Sequence, residues 1–217
     1  MSDIVPAEPP STYSVAFDVE RQLTDRNRVT TLFRLILAVP HLLILGGGAF
    51  AFGRLGTGGA VGGGGLYSAA VAMAIVAWFA IVFATLHPRG LWDFGSYYMR
   101  WRIRVGAYLA LFRDDYPPFG DDAYPTTYEV TYPPDANRDR LAVGLRIIYA
   151  IPHLVVLFFL GIAWAVTTII AWFAILITGS YPPALYEFGV GVMRWQVRVE
   201  SYLLLLRDEY PPFSFDP

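Results

Sequence analysis

Cysteine is absent from the 217 residues, which excludes disulfide frameworks, thiolate metal sites and thiol catalysis. Lysine is absent as well, all sixteen basic residues being arginine. Schiff-base chemistry and a phosphate-loop lysine are therefore excluded, and any phosphate contact falls to arginine or to backbone amides. Charge of either sign is scarce: Asp, Glu and Arg make up 16% of the chain, where roughly 25% is usual in soluble domains. A formal net charge of −2 gives no bulk attraction to nucleic acid. Apolar residues fill the deficit, at 55% of the chain with a mean hydropathy of +0.44. That is more apolar surface than one small core can hide, and it excludes disorder for most of the length.

Residues 1–12 carry neither the basic start nor the apolar run of a signal peptide and read as a disordered arm. Beyond them the chain repeats itself. Ala77-Trp-Phe-Ala-Ile81 recurs as Ala171-Trp-Phe-Ala-Ile175, and an offset of 94 runs on without a gap from 77–119 onto 171–213, with 23 of 43 pairs identical. Upstream an offset of 112 aligns Arg26, Arg28, Arg34, Pro40 and His41 with Arg138, Arg140, Arg146, Pro152 and His153. The change of offset places an 18-residue length difference between His41 and Ala77, across Gly46–Gly65, where 11 of 20 residues are glycine. Insertions survive in connections rather than inside packed elements, so the first copy is expected to loop here and the second to turn tightly near Gly161.

The expected organisation is repeat 1 over 13–119, a linker over 120–127 and repeat 2 over 128–217. Each copy starts with a short edge strand (Tyr13–Val19; Tyr128–Tyr132), read from its period-two character. Two apolar runs follow, Val29–Leu45 and Leu66–Leu86 in the first copy, and a helical hairpin over 141–178 in the second. Leu66–Leu86 is 21 residues without a charge, enough for ~30 Å of helix at ~1.5 Å per residue. The third element, 91–112 and 185–206, differs in kind: Asp93, Arg100 and Arg104 lie on one helical stripe, and Glu187, Arg194 and Arg198 repeat it. Arginine near mid-membrane costs ~2.5–3.5 kcal/mol, so these segments are expected to be interfacial amphipathic helices. The expected fold is thus all-α and membrane-embedded: two tandem copies of a transmembrane hairpin plus interfacial helix, related by an axis near the membrane normal. Fifteen of the sixteen arginines then share one side, Arg54 alone lying opposite. The positive-inside rule makes that side, with both termini, the cytoplasmic face of a bacterial plasma membrane. Three spans per copy would instead invert the copies and divide the arginines.

The paired signature Ile151-Pro-His153, Ala171-Trp-Phe-Ala174, Met193-Arg-Trp195 and Arg207-Asp-Glu-Tyr-Pro-Pro-Phe213 resembles a family of duplicated bacterial membrane proteins, frequent in actinobacteria, catalogued as domain of unknown function 4389. The resemblance covers nearly all of residues 13–217 and implies a multi-pass membrane protein. It supplies no activity or catalytic residue. The glycine-rich insert departs from the pattern and is read as local to this chain.

His41 and His153 are repeat-matched imidazoles in apolar helices, the geometry from which a bis-histidine haem or a metal pair could be built. The competing reading is that each bonds a carbonyl freed by the preceding proline, and no cofactor or metal is expected. Arg34 and Arg146 enter the membrane in the first helices and are expected to meet Asp93 and Glu187 within or across the copies. Arg100, Arg104, Arg194 and Arg198 could bind lipid phosphates or pair internally. Gly62–Gly65 lacks the strand before it and the Lys-Ser/Thr after it that a phosphate loop needs. With no catalytic constellation traceable, the expectation is a non-enzymatic scaffold or assembly component. Its expected partners are membrane lipids and further copies or a larger membrane complex. The alternative is a transporter or channel for a small solute, ion or lipid along the pseudo-twofold axis, and an enzyme acting on lipid ranks third.

Overall fold

The computed structural model describes residues 13–46, 64–133 and 138–216. Its elements run β1 (Val15–Val19), α1 (Arg28–Leu37), α2 (Val39–Leu45), α3 (Gly65–Ala84), α4 (Arg89–Leu109), β2 (Thr126–Val130), α5 (Arg140–Gly144), α6 (Arg146–Thr178) and α7 (Pro183–Leu203). The protein is mostly helical, and three helical stretches are long and apolar enough to cross a membrane: Arg28–Leu45, Gly65–Ala84 and Arg146–Thr178. The arm over 1–12, Arg54 and all but the ends of the glycine-rich loop lie outside the described residues. The two strands pair with each other, antiparallel, with Phe17 opposite Tyr128. Val15, Phe17 and Val19 are buried while Asp18 is exposed, the alternation of a strand with one covered face.

Neither copy forms the expected hairpin. In the second copy α6 is one continuous helix of 33 residues, and Gly161 lies buried inside it rather than at a turn. A glycine in a helix costs about 1 kcal/mol relative to alanine, too little to break a run of apolar residues that all gain from burial along one face. That face is the stripe Arg146, Ala150, His153, Leu157, Gly161, Ala171 and Ile175, the spacing of a single helix side. In the first copy the chain leaves α2 at Gly46 and re-enters α3 at Gly64 at the same place, since a Cβ on Gly64 would lie 2.3 Å from the Ile44 carbonyl oxygen. Without residues 46–63, Leu45 and Gly64 stand where Leu157 and Phe158 stand in α6. The length difference therefore interrupts one long helix instead of joining two antiparallel ones.

Each long helix is followed by an antiparallel return, α4 on α3 and α7 on α6. These returns are the two elements expected at the interface, and the structure corrects that reading: α4 and α7 are the buried centre. In α7, Trp195, Val199 and Tyr202 face α6, through Leu157 and Arg146, while Arg194, Arg198 and Ser201 face Phe17, Tyr13 and Tyr128 of the sheet side. The long helices thus cover one side of the α4–α7 pair and the sheet covers the other. Contacts between copies are reciprocal: Trp78 donates its indole N–H to the Val143 carbonyl and Trp172 donates to that of Thr31, both at 3.0 Å.

Both returns end in the same way. Phe112 N–H bonds the Ala107 carbonyl and Leu111 N–H that of Tyr108, and Leu206 and Leu205 repeat this with Ser201 and Tyr202. This Schellman closure puts Leu111 at φ 66° and Leu205 at φ 65°, a left-handed conformation that usually selects glycine. Burial of both leucines offsets that local cost of roughly 1–2 kcal/mol.

Candidate functional site

At the C-termini of α4 and α7, the negative end of the helix dipole, carbonyls keep lone pairs that the helix closure does not use. Arginines from the start of the long helices fill them. Arg34 donates to the carbonyls of Tyr108 (2.6 Å) and Arg113 (2.9 Å) and to Asp114 (2.6 Å). Arg26 joins the same carboxylate at 2.7 Å and donates to the Leu111 carbonyl, also at 2.7 Å. The second copy reproduces the clamp: Arg146 binds the Tyr202 and Arg207 carbonyls and Asp208, and Arg138 binds Asp208 and the Leu205 carbonyl. Each innermost guanidinium also stands over a tyrosine ring, Arg34 at 4.5 Å from Tyr108 and Arg146 at 4.4 Å from Tyr202. Burial alone would raise the Asp114 carboxyl. Hydrogen bonds from Arg26 and the Asn27 amide, with the charges of Arg26 and Arg34, hold it below the ordinary carboxylate range instead.

Arg34 and Arg146 are therefore ion-paired, but not with the expected partners. Asp93 sits at the other end of α4 and pairs with exposed Arg89, and Glu187 pairs with Arg21. An antiparallel return brings the start of a long helix to the end of its return, so the reachable carboxylate is the one after the helix. Asp114 and Asp208 stand in identical Arg-Asp pairs of the two copies, and that identity was the signal available in the sequence.

The four arginines of the polar stripes are all engaged by partners within the chain. Arg100 and Arg104 share Asp121, at 2.9 and 3.1 Å, and Arg104 also donates to the Gly120 carbonyl. Arg194 donates to the carbonyls of Phe17 and Phe215 and pairs with Asp18. Arg198 reaches the Asp216 carbonyl and stands over the Tyr13 ring. Between the returns, Arg102 pairs with Glu200 at 2.9 Å, and Trp92 donates to the Leu206 carbonyl.

The histidines do not bond carbonyls freed by Pro40 and Pro152 as expected. His41 Nδ1 accepts the indole N–H of Trp101 at 3.1 Å, and His153 Nδ1 accepts that of Trp195 at 3.0 Å. Accepting at Nδ1 puts the proton of a neutral imidazole on Nε2. Each ring is stacked on the phenylalanine that closes its own copy's Tyr-Pro-Pro-Phe segment, Phe119 at 4.1 Å and Phe213 at 3.9 Å. Tyr116 and Tyr210 complete the fastening by donating to the Leu37 and Tyr149 carbonyls. The Tyr-Pro-Pro-Phe segment thus serves as a clasp that locks the tail of each return against its long helix. Among the described residues no group of three or more His, Asp or Glu side chains could hold a metal ion.

A family model described as domain of unknown function (DUF4389) matches residues 65–120 and 140–214, one segment in each copy. No curated protein and no solved structure matches the chain.

Proposed function

The chain belongs to the DUF4389 family of domains of unknown function, and from that premise we propose that it is a non-enzymatic scaffold seated in one leaflet of a membrane. The long helices lie in the acyl region, and the sheet faces the aqueous phase as the docking side of a larger complex. The observation that carries this reading is the division of the exposed surface. Ile148, Ile151, Val155, Ile169, Phe173 and Ile177 of α6 are exposed, whereas Asp18, Glu20, Arg21 and Asp121 are exposed on the sheet side.

Were α6 to cross the bilayer upright, α7 would share its depth, and with it Arg194–Asp18 at the middle of α7. Asp18 of that pair is 64% exposed; a charge exposed at mid-membrane costs ~2.5–3.5 kcal/mol on the insertion scale, and a helix lying in the plane avoids that cost. The length of α6 agrees with this reading: at ~1.5 Å per residue it is about 50 Å long, against a hydrocarbon core of ~30 Å. The arginine-bearing side is then cytoplasmic by the positive-inside rule, at a bacterial plasma membrane. Against the competing solute path between the copies stands the packing there, where Arg102–Glu200 and the Trp92 bond fill the contact of α4 with α7.

The native chain has no cysteine, so single cysteines report cleanly. Arg140→Cys and Ser180→Cys flank α6. Both should resist an impermeant maleimide in intact cells and react in inverted vesicles. Labelling from opposite sides would mean that α6 spans and would remove the one-leaflet reading.

A further inference from the structure

Two grooves open between the long helices, one over the end of each return, and they are repeat-matched. The first, about 490 Å³, is lined by Ala74, Ile75, Trp78, Arg146, Ile147 and Leu205 among others. The second, about 430 Å³, has the corresponding Thr168, Ile169, Trp172, Arg34, Leu35 and Leu111. Both volumes fall within the range of small-molecule sites. Leu32, Leu35, Ile169 and Phe173, all lining the second groove, are exposed and continue the apolar face. Walls of this kind match an acyl chain.

Each groove also carries one arginine of a clamp. The Arg34 and Arg146 side chains are only 3% and 2% exposed. In each the two terminal nitrogens are engaged, yet the Nε–H has no hydrogen-bond partner. Thr31 Oγ1, lining the second groove, is likewise buried and unpartnered. Each clamp gathers two guanidiniums on one carboxylate, a formal excess of one positive charge that the helix-end carbonyls meet only in part; Glu200, which also lines the first groove, is already paired with Arg102. In such surroundings an unmatched charge and an unmade hydrogen bond are both costly, and an anionic acceptor answers both.

We propose that each groove holds an anionic membrane lipid, its acyl chain along the apolar wall and an oxygen of its head or ester region at Arg34 or Arg146. The proposal rests on the membrane-seated reading above. It makes the paired grooves a device by which the scaffold selects anionic lipid.

Trp78 and Trp172 line the grooves and report on them. Purified protein would be titrated with vesicles containing acyl-brominated phosphatidylglycerol or equally brominated phosphatidylcholine, and quenching of tryptophan fluorescence recorded. Phosphatidylglycerol should reach half-quenching at a roughly five-fold lower mole fraction, the effect of about one charge contact. The difference should vanish in Trp78→Phe/Trp172→Phe and in Ala74→Phe/Thr168→Phe. The latter fills both grooves without touching a clamp, and its melting curve verifies folding. Excess inorganic phosphate should not compete, because the acyl chain is part of what binds. Equal quenching by the two lipids, a difference that survives in the groove-filled variant, or competition by phosphate would overturn the proposal. Failure of the protein to float with any vesicle would instead overturn the membrane-seated reading.

Discussion

Asp208 restrains two guanidiniums at once, Arg138 and Arg146, so the members of the clamp are not equivalent. Removing Arg146 leaves the carboxylate paired with Arg138, whereas removing Asp208 strands two buried cations. Breaking a buried pair costs about 3–5 kcal/mol. Asp208→Ala should therefore destabilise more than Arg146→Ala in denaturant melts, and the double change should cost less than the sum of the two. The first copy adds a pH signature. Asp114, and Asp121 beside Arg100 and Arg104, are held below the ordinary carboxylate range. A depressed native value stabilises the fold fully above the unfolded value, near ~4 for aspartate, and that contribution is lost as pH falls through the native one. The melting temperature should thus fall below about pH 4, and Asp114→Asn should start lower and fall less steeply. Parallel curves for the two proteins would show that Asp114 is not the titrating group. The matched glycines Gly95 and Gly189 differ in the same graded way. A Cβ on Gly95 meets only the tip of Leu206, but one on Gly189 meets the Trp164 and Phe112 rings at 2.8 and 3.0 Å. Overpacking costs about 1–3 kcal/mol, so Gly189→Ala should lower the melting temperature more than Gly95→Ala.

At the scale of elements, the broken first helix and the continuous α6 carry one architecture, and that equivalence can be tested by excision. Deleting residues 46–63 joins Leu45 to Gly64 in the register that Leu157 and Phe158 hold in α6. The shortened protein should fold with a melting temperature no lower than the parent's. Replacing Gly64 and Gly65 by alanine in it should add up to about 1 kcal/mol per site, the glycine penalty in a helix. Aggregation of the shortened protein would mean that α2 and α3 need the insert to find each other. The same region shows what sequence reasoning could and could not reach. The duplication, the 18-residue difference, the two strands and the apolar runs are all readable, because each is a property of local order. Whether the difference marks a turn or an interruption is not, since both place glycine at the same point, and only the packing of α1 on α6 and of α3 on α5 decides. The clamps were half legible. Arg34 and Arg146 announced themselves as charges in apolar runs, but choosing Asp114 and Asp208 over Asp93 and Glu187 required knowing that each return runs antiparallel to its own long helix. The histidines were found, and their indole partners Trp101 and Trp195 were not, because a single hydrogen bond between two helices leaves no periodic trace.

In the molecule as a whole, the two copies are joined along several surfaces. β1 pairs with β2, α1 packs on α6 and α3 on α5. Trp78 and Trp172 exchange bonds with Val143 and Thr31, and the centre holds Arg102 against Glu200. A half taken alone would expose a lone strand edge, the inner side of its long helix and one member of a buried ion pair, which makes a separate fold unfavourable. The covalent link between the halves lies at Gly120–Tyr124, where Gly120 and Asp121 hold Arg100 and Arg104 and Tyr124 packs on the core and donates to the Asp115 carbonyl. Residues 1–122 and 123–217, co-expressed as separate chains, should therefore assemble one to one in detergent. A tag on either half should recover both, and the complex should melt a few degrees below the intact chain, because linkage spares only a loop-closure entropy that grows slowly with length. Trp172→Phe in the second half and Trp78→Phe in the first should weaken recovery to similar extents, since the two bonds are counterparts. If either half purifies alone as a monomer with the melting temperature of the intact chain, the copies are independent domains, and the reciprocal contacts contribute nothing to holding them together.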